Sequence, residues 1–378
     1  MNDIKDKENT LPVLTMCPAS KAAPIIRPVG EICNLKCSYC YYHNDNQEYD
    51  KKQIMSTQVL ETFIQQYLAL YEGNIEFMWH GGEPMLAGLD FYNKVIKLQD
   101  KYKTDKHKIE NNIQTNGTLI NDKWAAFFKE HNFYIGLSLD GIKECHNKYR
   151  KNTHGDGTFY DVLYAINTLR KFDIEPGVLQ TITKSSLPYI KSNFDFFIDE
   201  LKIKKWGVNI YNDINNTNPI LHHEVLTPDE YFQVYKEIYL LWKERNDLDI
   251  DIREIQTAVC AVLGKFTGMC TTSGICSSFI AIDASGNVSP SCDNYLTSKL
   301  GYNLGNILEK SLIEMLNSET RISFSKIVNA QPTKCKHCEW YSGCYNGCVF
   351  QRSKNNYLYC EGRKKLFSFI REDINHNV

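Results

Sequence analysis

Between residues 23 and 212 the apolar positions follow two alternating rhythms. Short β-branched and aromatic runs recur: APIIRPVG, IEFMWHG, NNIQTNG, YIGLSLDG, PGVLQTIT and WGVNIYN. Each of the first five is followed by a stretch with apolar residues three and four apart, as a helix with one buried face requires. These stretches are STQVLETFIQQYLALY, FYNKVIKLQDKY, NDKWAAFFKEH, TFYDVLYAINTLRKF and YIKSNFDFFIDEL. Ser56 stands where the first of them needs an N-cap. Strands alternating with helices predict a parallel sheet with crossover connections. Six units are too few for a closed eight-stranded barrel, so the expected α/β fold is a partial (β/α)6 TIM-like barrel.

After residue 212 the rhythm changes. NNTNPILHHEV reads as a loop with His222 and His223 at the surface. TPDEYFQVYKEIYLLWKER reads as a helix, with Thr227 as N-cap and Pro228 in the first position. From Cys260 onward short strands, turns and cysteines predict a second domain folded around metal. The expected organisation is a flexible lead-in over 1–22, the barrel over 23–215, a helical linker over 216–259 and a cysteine-rich domain over 260–378.

Composition narrows the class. Of 378 residues 43% are hydrophobic, enough for a sizeable core. With 43 basic and 45 acidic side chains the net charge is −2, which leaves no electrostatic footprint for nucleic acid. No apolar run approaches the length of a membrane span, and MNDIKDKENTLPVL lacks the apolar stretch of a signal peptide. A cytoplasmic protein is expected, in which thiols stay reduced and clustered cysteines read as metal ligands. The 14 cysteines are clustered: Cys33, Cys37 and Cys40 fall within eight positions, and eight more lie between Cys270 and Cys360.

The first group has spacing C-x3-C-x2-C, short enough to aim all three sulfurs at one centre. Iron–sulfur clusters usually take four thiolates, as do all-thiolate zinc sites. The loop is thus a zinc site borrowing a distant ligand, a set of buried structural thiols, or a cluster with one iron open to a substrate or cofactor. Its neighbours weigh on the choice. CNLKCSYC, HGGEP, QTNG and SLDG each follow a predicted strand, and the C-terminal strand ends are where barrel chemistry gathers.

This C-x3-C-x2-C loop, with Tyr39 before the third cysteine, resembles that of the radical S-adenosylmethionine (SAM) enzymes. The resemblance implies that Cys33, Cys37 and Cys40 hold a [4Fe-4S] cluster whose open iron is chelated by the amino and carboxylate groups of SAM. One electron from the cluster then yields a 5′-deoxyadenosyl radical that abstracts a substrate hydrogen. The cofactor supplies that chemistry and the protein positions and shields it. Gly81, Gly82 and Glu83 of GGEP match the family position for the SAM amino group. Glycines admit close backbone approach, and Glu83 can accept from an ammonium. By the same resemblance Gln114, Thr115, Asn116, Ser138, Asp140 and Arg150 line the pocket. Arg150 is the expected partner of the methionine carboxylate.

The eight later cysteines read as two structural zinc sites or as two clusters. Their spacing resembles the SPASM domain, which carries two auxiliary [4Fe-4S] clusters. The resemblance assigns Cys270, Cys276, Cys292 and Cys348 to the first and Cys335, Cys338, Cys344 and Cys360 to the second. Cys17, Cys145 and Cys260 remain as ordinary small buried residues. Asp293 follows a cluster cysteine. In the anaerobic sulfatase-maturing members an aspartate at the matching place is the base that deprotonates the substrate side chain; the plain alternative is a turn-forming Asp before Asn294.

Two reactions compete. A peptide maturase would form a carbon–carbon cyclophane, carbon–oxygen or thioether crosslink in a ribosomally made precursor. A sulfatase maturase would oxidise Cys or Ser to formylglycine. LAGLDFY, QTNGTLI and LGNI look alike in both groups, but sulfatase maturases typically carry glutamine where this chain has His80. That histidine inclines the expectation to the peptide maturase, although it is equally a satisfied strand-end residue. With no leader-binding domain before Cys33, a precursor would be read by the barrel and SPASM surfaces or by a separate protein. The expected partners are a precursor peptide or protein substrate and an electron donor such as flavodoxin or ferredoxin. A non-catalytic iron–sulfur or zinc protein is the reading of another class. Anaerobic reconstitution tests the radical reading against zinc: about twelve irons per chain are expected for three four-iron clusters, whereas about three zincs would remove it.

Overall fold

A computed structural model describes residues 21–43, 53–213 and 219–376. Cys17 lies outside them. The expected strands form in order: β1 (Ala23–Ile26), β2 (Gly73–Trp79), β3 (His107–Thr115), β4 (Tyr134–Ser138), β5 (Gly177–Ile182) and β6 (Lys205–Ile210). They pair in parallel with their sequence neighbours, so their C-terminal ends share one rim. The sheet is wider than six strands. β7 (Asp251–Ile252) pairs with β6 in parallel. At the other edge β8 (Phe279–Ile282) runs parallel to β1, and β9 (Asn287–Ser289) and β10 (Gly305–Asn306) continue outward antiparallel. The cysteine-rich region thus extends the barrel's own sheet.

The helices of the barrel are α1 (Thr57–Leu70), α2 (Leu89–Tyr102), α3 (Asp122–Glu130), α4 (Lys143–Tyr149), α5 (Phe159–Lys171) and α6 (Ile190–Asp195), the last continuing as a π-helical turn over Phe196–Glu200. Ser56 caps α1 as expected, its hydroxyl accepting from the Val59 amide at 3.2 Å. The short α4 follows a Ser-Leu-Asp-Gly turn and was invisible to periodicity, because seven residues hardly complete two turns. Part of the expected 215–225 loop is a 3-10 turn, Pro219–Glu224. His222 and His223 are exposed on it.

α7 (Pro228–Arg245) and α8 (Arg253–Val262) lead into six C-terminal helices: α9 (Cys270–Ser273), α10 (Asn294–Lys299), α11 (Leu312–Leu316), α12 (Glu319–Val328), α13 (Thr333–Lys336) and α14 (Cys360–His376). α14 packs back on α7 and α8, with Tyr359 stacked on Tyr231 at 4.9 Å. One apolar core, running from Ala22 to Ile370, unites the barrel and this region. No helix among the described residues is long and apolar enough to cross a membrane.

α7 begins with a reciprocal cap. The Thr227 hydroxyl accepts from the Glu230 amide at 3.2 Å, and the Glu230 carboxylate accepts from the Thr227 amide at 2.7 Å. Removing such a cap costs about 1 kcal/mol. Thr227→Ala is therefore expected to lower stability by roughly that amount in denaturant unfolding, with iron content unchanged.

Candidate active site and thiol sets

The first thiol loop leaves β1 through Arg27 and Pro28 and is pinned across the barrel mouth. Lys36 N donates to the Lys151 carbonyl, just beyond α4, at 2.8 Å and Ser38 N to that of Tyr149, the last residue of α4, at 3.1 Å. Cys33, Cys37 and Cys40 are half-buried within it. Burial pushes the Cys33 and Cys40 thiols up to about 12, and their mutual proximity adds to this. Burial also raises Cys37, while the Arg150 charge opposes it. Buried neighbouring thiols keep their protons until a metal centre displaces them. This is the donor chemistry an iron–sulfur cluster requires.

Gly81 and Gly82 press against the backbone of this loop. Gly82 N donates to the Gly30 carbonyl and Glu83 N to that of Ile32, both at 2.8 Å. A Cβ on Gly82 would overlap the Ile32 carbonyl, and Gly81 has φ +114°, so neither position admits a side chain. Glu83 is completely buried. Its Oε1 accepts from Met85 N at 3.0 Å and from the Thr115 hydroxyl at 2.8 Å, and its Oε2 from Asn116 N at 2.8 Å. Three protein donors thus fix the Glu83 carboxylate in place. Burial pushes it up to about 7 despite these bonds. Asn116 continues the tie, its Nδ2 donating to Asn34 Oδ1 at 2.9 Å and facing Cys33 Sγ at 3.7 Å.

The other pocket residues meet on β3, β4 and α4. Gln114 Nε2 donates to the Ser138 hydroxyl at 3.1 Å. Asp140 is a buried hub: its Oδ2 accepts from the Tyr39 hydroxyl at 2.6 Å and from Arg150 Nε at 2.9 Å, and its Oδ1 from Thr181 N at 2.9 Å. Asp140 therefore orients Tyr39 and Arg150. Among the described residues neither Nη of Arg150 donates to a protein group, so its fork is left for another acceptor.

The eight C-terminal thiols fall into two sets. Cys270, Cys276, Cys292 and Cys348 act electrostatically on one another, and burial raises all four. Cys335, Cys338, Cys344 and Cys360 line one small cavity with Trp340, Tyr357 and Phe367. Among the described residues no three His, Cys, Asp or Glu side chains converge on a single-ion site. Of the remaining thiols, Cys145 is buried and Cys260 half-buried.

Asp293 sits where the first loop meets the C-terminal region. Its Oδ1 caps α10, accepting from Leu296 N at 2.9 Å. Its Oδ2 accepts from the Tyr41 hydroxyl at 3.1 Å and from that of Tyr42. Arg27, fully buried, lies 4.5 Å over the Tyr42 ring and places Nη1 3.2 Å from Glu31 and 3.9 Å from Asp293. Sequence reasoning missed Arg27 and Tyr42. The signal available was a lone cation closing the apolar run Ile25-Ile26.

His80 is also in this neighbourhood. Its Nδ1 accepts from Gly81 N at 2.7 Å, the satisfied strand-end arrangement. Burial, reinforced by the Arg27 charge and opposed by Asp293, holds its imidazole down to about 4.

Residues 28–184 match the Radical SAM superfamily, and residues 270–339 match SPASM, an iron-sulfur cluster-binding domain. The chain belongs to the radical SAM enzymes with a SPASM domain. It is closely related to the anaerobic sulfatase-maturating enzymes. It is 33% identical to a cysteine-type enzyme of this kind from Clostridium novyi, over 91% of this chain and 93% of that one. A serine-type enzyme from Bacteroides thetaiotaomicron is 30% identical, over 94% and 91% respectively. Among solved structures, native anSMEcpe with bound AdoMet and Kp18Cys peptide superposes with a TM-score of 0.85 at 31% identity, covering 95% of this chain and 100% of that one. The chain is thus a radical SAM oxidoreductase acting on a peptide or protein, with SAM and [4Fe-4S] clusters as its cofactors. The non-catalytic reading is set aside.

The His80 environment predicts a pH effect. Its folded-state value lies below the ordinary 6.5, so the unfolded chain takes up the proton first as pH falls. The stabilisation is full above 6.5 and is lost from there toward about 4, at up to about 1.4 kcal/mol per pH unit. In denaturant unfolding, wild type should lose stability over this window faster than His80→Gln; equal slopes would refute the assignment.

Proposed function

We propose that this enzyme oxidises a cysteine or serine side chain of a sulfatase to formylglycine. The observation that carries the proposal is the Asp293 carboxylate, buried beside two tyrosine hydroxyls at the seam between the first thiol loop and the C-terminal region. Similarity to both cysteine-type and serine-type maturating enzymes over nine-tenths of the chain supports it. Crosslinking of a precursor peptide rested on His80, whose Nδ1 is engaged by the adjacent backbone. That observation favours the strand-end role, and crosslinking has no other support here.

In this reading Cys33, Cys37 and Cys40 hold the cluster that binds SAM. The GGEP turn, set against the loop by Gly82 N and Glu83 N, would hold the methionine ammonium. The fork of Arg150, oriented by Asp140, takes the methionine carboxylate. SAM, reduced there, supplies the hydrogen-abstracting radical. Asp293 Oδ2 takes the proton of the substrate thiol or hydroxyl, and Tyr41 and Tyr42 fix the direction of that oxygen. The two C-terminal thiol sets would hold four-iron clusters able to take up the substrate's electron. This leaves the aldehyde from serine, or from cysteine a thioaldehyde that water hydrolyses with loss of hydrogen sulfide. A flavodoxin or ferredoxin would supply the starting electron.

The test is an anaerobic assay of the reconstituted enzyme with sulfatase-derived peptides bearing Cys or Ser, the aldehyde being trapped with a hydrazide. Wild type should form the aldehyde. Asp293→Asn should lose it by about 10²-fold or more while still releasing 5′-deoxyadenosine. Aldehyde formation at wild-type rate in that variant would remove Asp293 as the base, and a crosslinked product from wild type would restore the other reading.

A further inference from the structure

Arg363 lies in the first turn of α14, three residues beyond Cys360, and is buried. Its guanidinium is shared between the two C-terminal thiol sets. Nη1 donates to Cys344 Sγ at 3.6 Å and to the Thr271 carbonyl at 2.8 Å, beside Cys270. Nη2 donates to the Tyr357 hydroxyl at 2.8 Å, and Nε reaches the Tyr231 hydroxyl at 3.5 Å. The cation also lies 4.2 Å over the Tyr357 ring. These contacts hold the fork away from solvent. Among the described residues it is the one side chain that donates a hydrogen bond to any of the eight C-terminal thiols.

A purely structural arginine would need only its carbonyl and hydroxyl partners. An N–H aimed at a ligand sulfur does more. Reduction of a four-iron cluster adds one negative charge, and a nearby cation and N–H···S bond favour that state. Burial strengthens the effect by lowering the local dielectric. The charge of Arg363 also reaches Cys348 of the other set, where no such bond accompanies it.

We propose that Arg363 sets the reduction potential of the cluster held by Cys335, Cys338, Cys344 and Cys360, raising it above the value its thiolates alone would give. The inference rests on the assignment of those cysteines as cluster ligands and is independent of the substrate. It is tested on the reconstituted full chain by redox titration followed by EPR. Arg363→Met with unchanged iron content should shift one auxiliary potential downward, shift the other less, and leave the SAM-responsive cluster unmoved. Arg363→Lys, which keeps a cation and N–H donors, should recover part of the shift. Unchanged potentials in both variants overturn the proposal.

Should Arg363→Met fail to retain iron, the native protein with 15N-labelled arginine supplies the second test. Pulsed EPR should show an arginine nitrogen coupled to a reduced auxiliary cluster, and that coupling should vanish in Arg363→Lys. A coupling that is absent in native protein, or that survives in Arg363→Lys, overturns the proposal. Native protein that binds too little iron for two auxiliary clusters instead refutes the ligand assignment beneath it.

Discussion

The buried carboxylate of Glu83 joins three parts of the chain that meet nowhere in sequence. Its oxygens bind the start of the turn after β2, at Met85, and the end of β3, at Thr115 and Asn116. The glycine before it lies against Ile32, next to the first thiol. Burying a carboxylate costs several kcal/mol unless charge or hydrogen bonds compensate it. Here three donors do so, and a group so held cannot be displaced without orphaning two backbone amides. The position of Cys33 relative to β2 and β3 depends on this knot.

Asp140 repeats the device on the next strand with a different result. It accepts from Tyr39, Arg150 and the Thr181 amide, and so carries the thiol loop and α4 onto β5. Asp293 is the third such carboxylate, held by Leu296, Tyr41 and Tyr42 with Arg27 opposite. The three differ in what surrounds them. Glu83 meets only neutral donors, Asp140 has a direct ion pair, and Asp293 has hydroxyl partners and a more distant cation. Two of these carboxylates thus serve as struts, and the third sits at the seam where chemistry on a bound peptide is proposed.

Arginines organise the cysteine-rich region in the same way. Arg352 donates to the carbonyls of Asn346, Ile327 and Val328 at 2.8–3.0 Å, folding the loop after Cys344 onto the end of α12. Arg363 ties α14 to the turn after Cys270. A region with few long elements obtains its geometry from such side chain–backbone bonds, each satisfying carbonyls that no helix or strand reaches.

Much of this was legible in the chain itself. Alternating periodicities located the six parallel strands and their long helices, because each rhythm reflects a local backbone repeat. Spacing alone marked the thiol groups, since a short loop brings its own sulfurs together. What lay beyond reach depends on contacts between distant residues. The edge pairing of β1 with β8, the inward turn of Glu83, the amide bond that occupies His80 and the guanidiniums of Arg27 and Arg363 belong to this kind. A sequence states which groups are present and how closely they follow one another. Only the folded chain decides which partner each buried polar group meets, because desolvation forces it to find one wherever the packing places it.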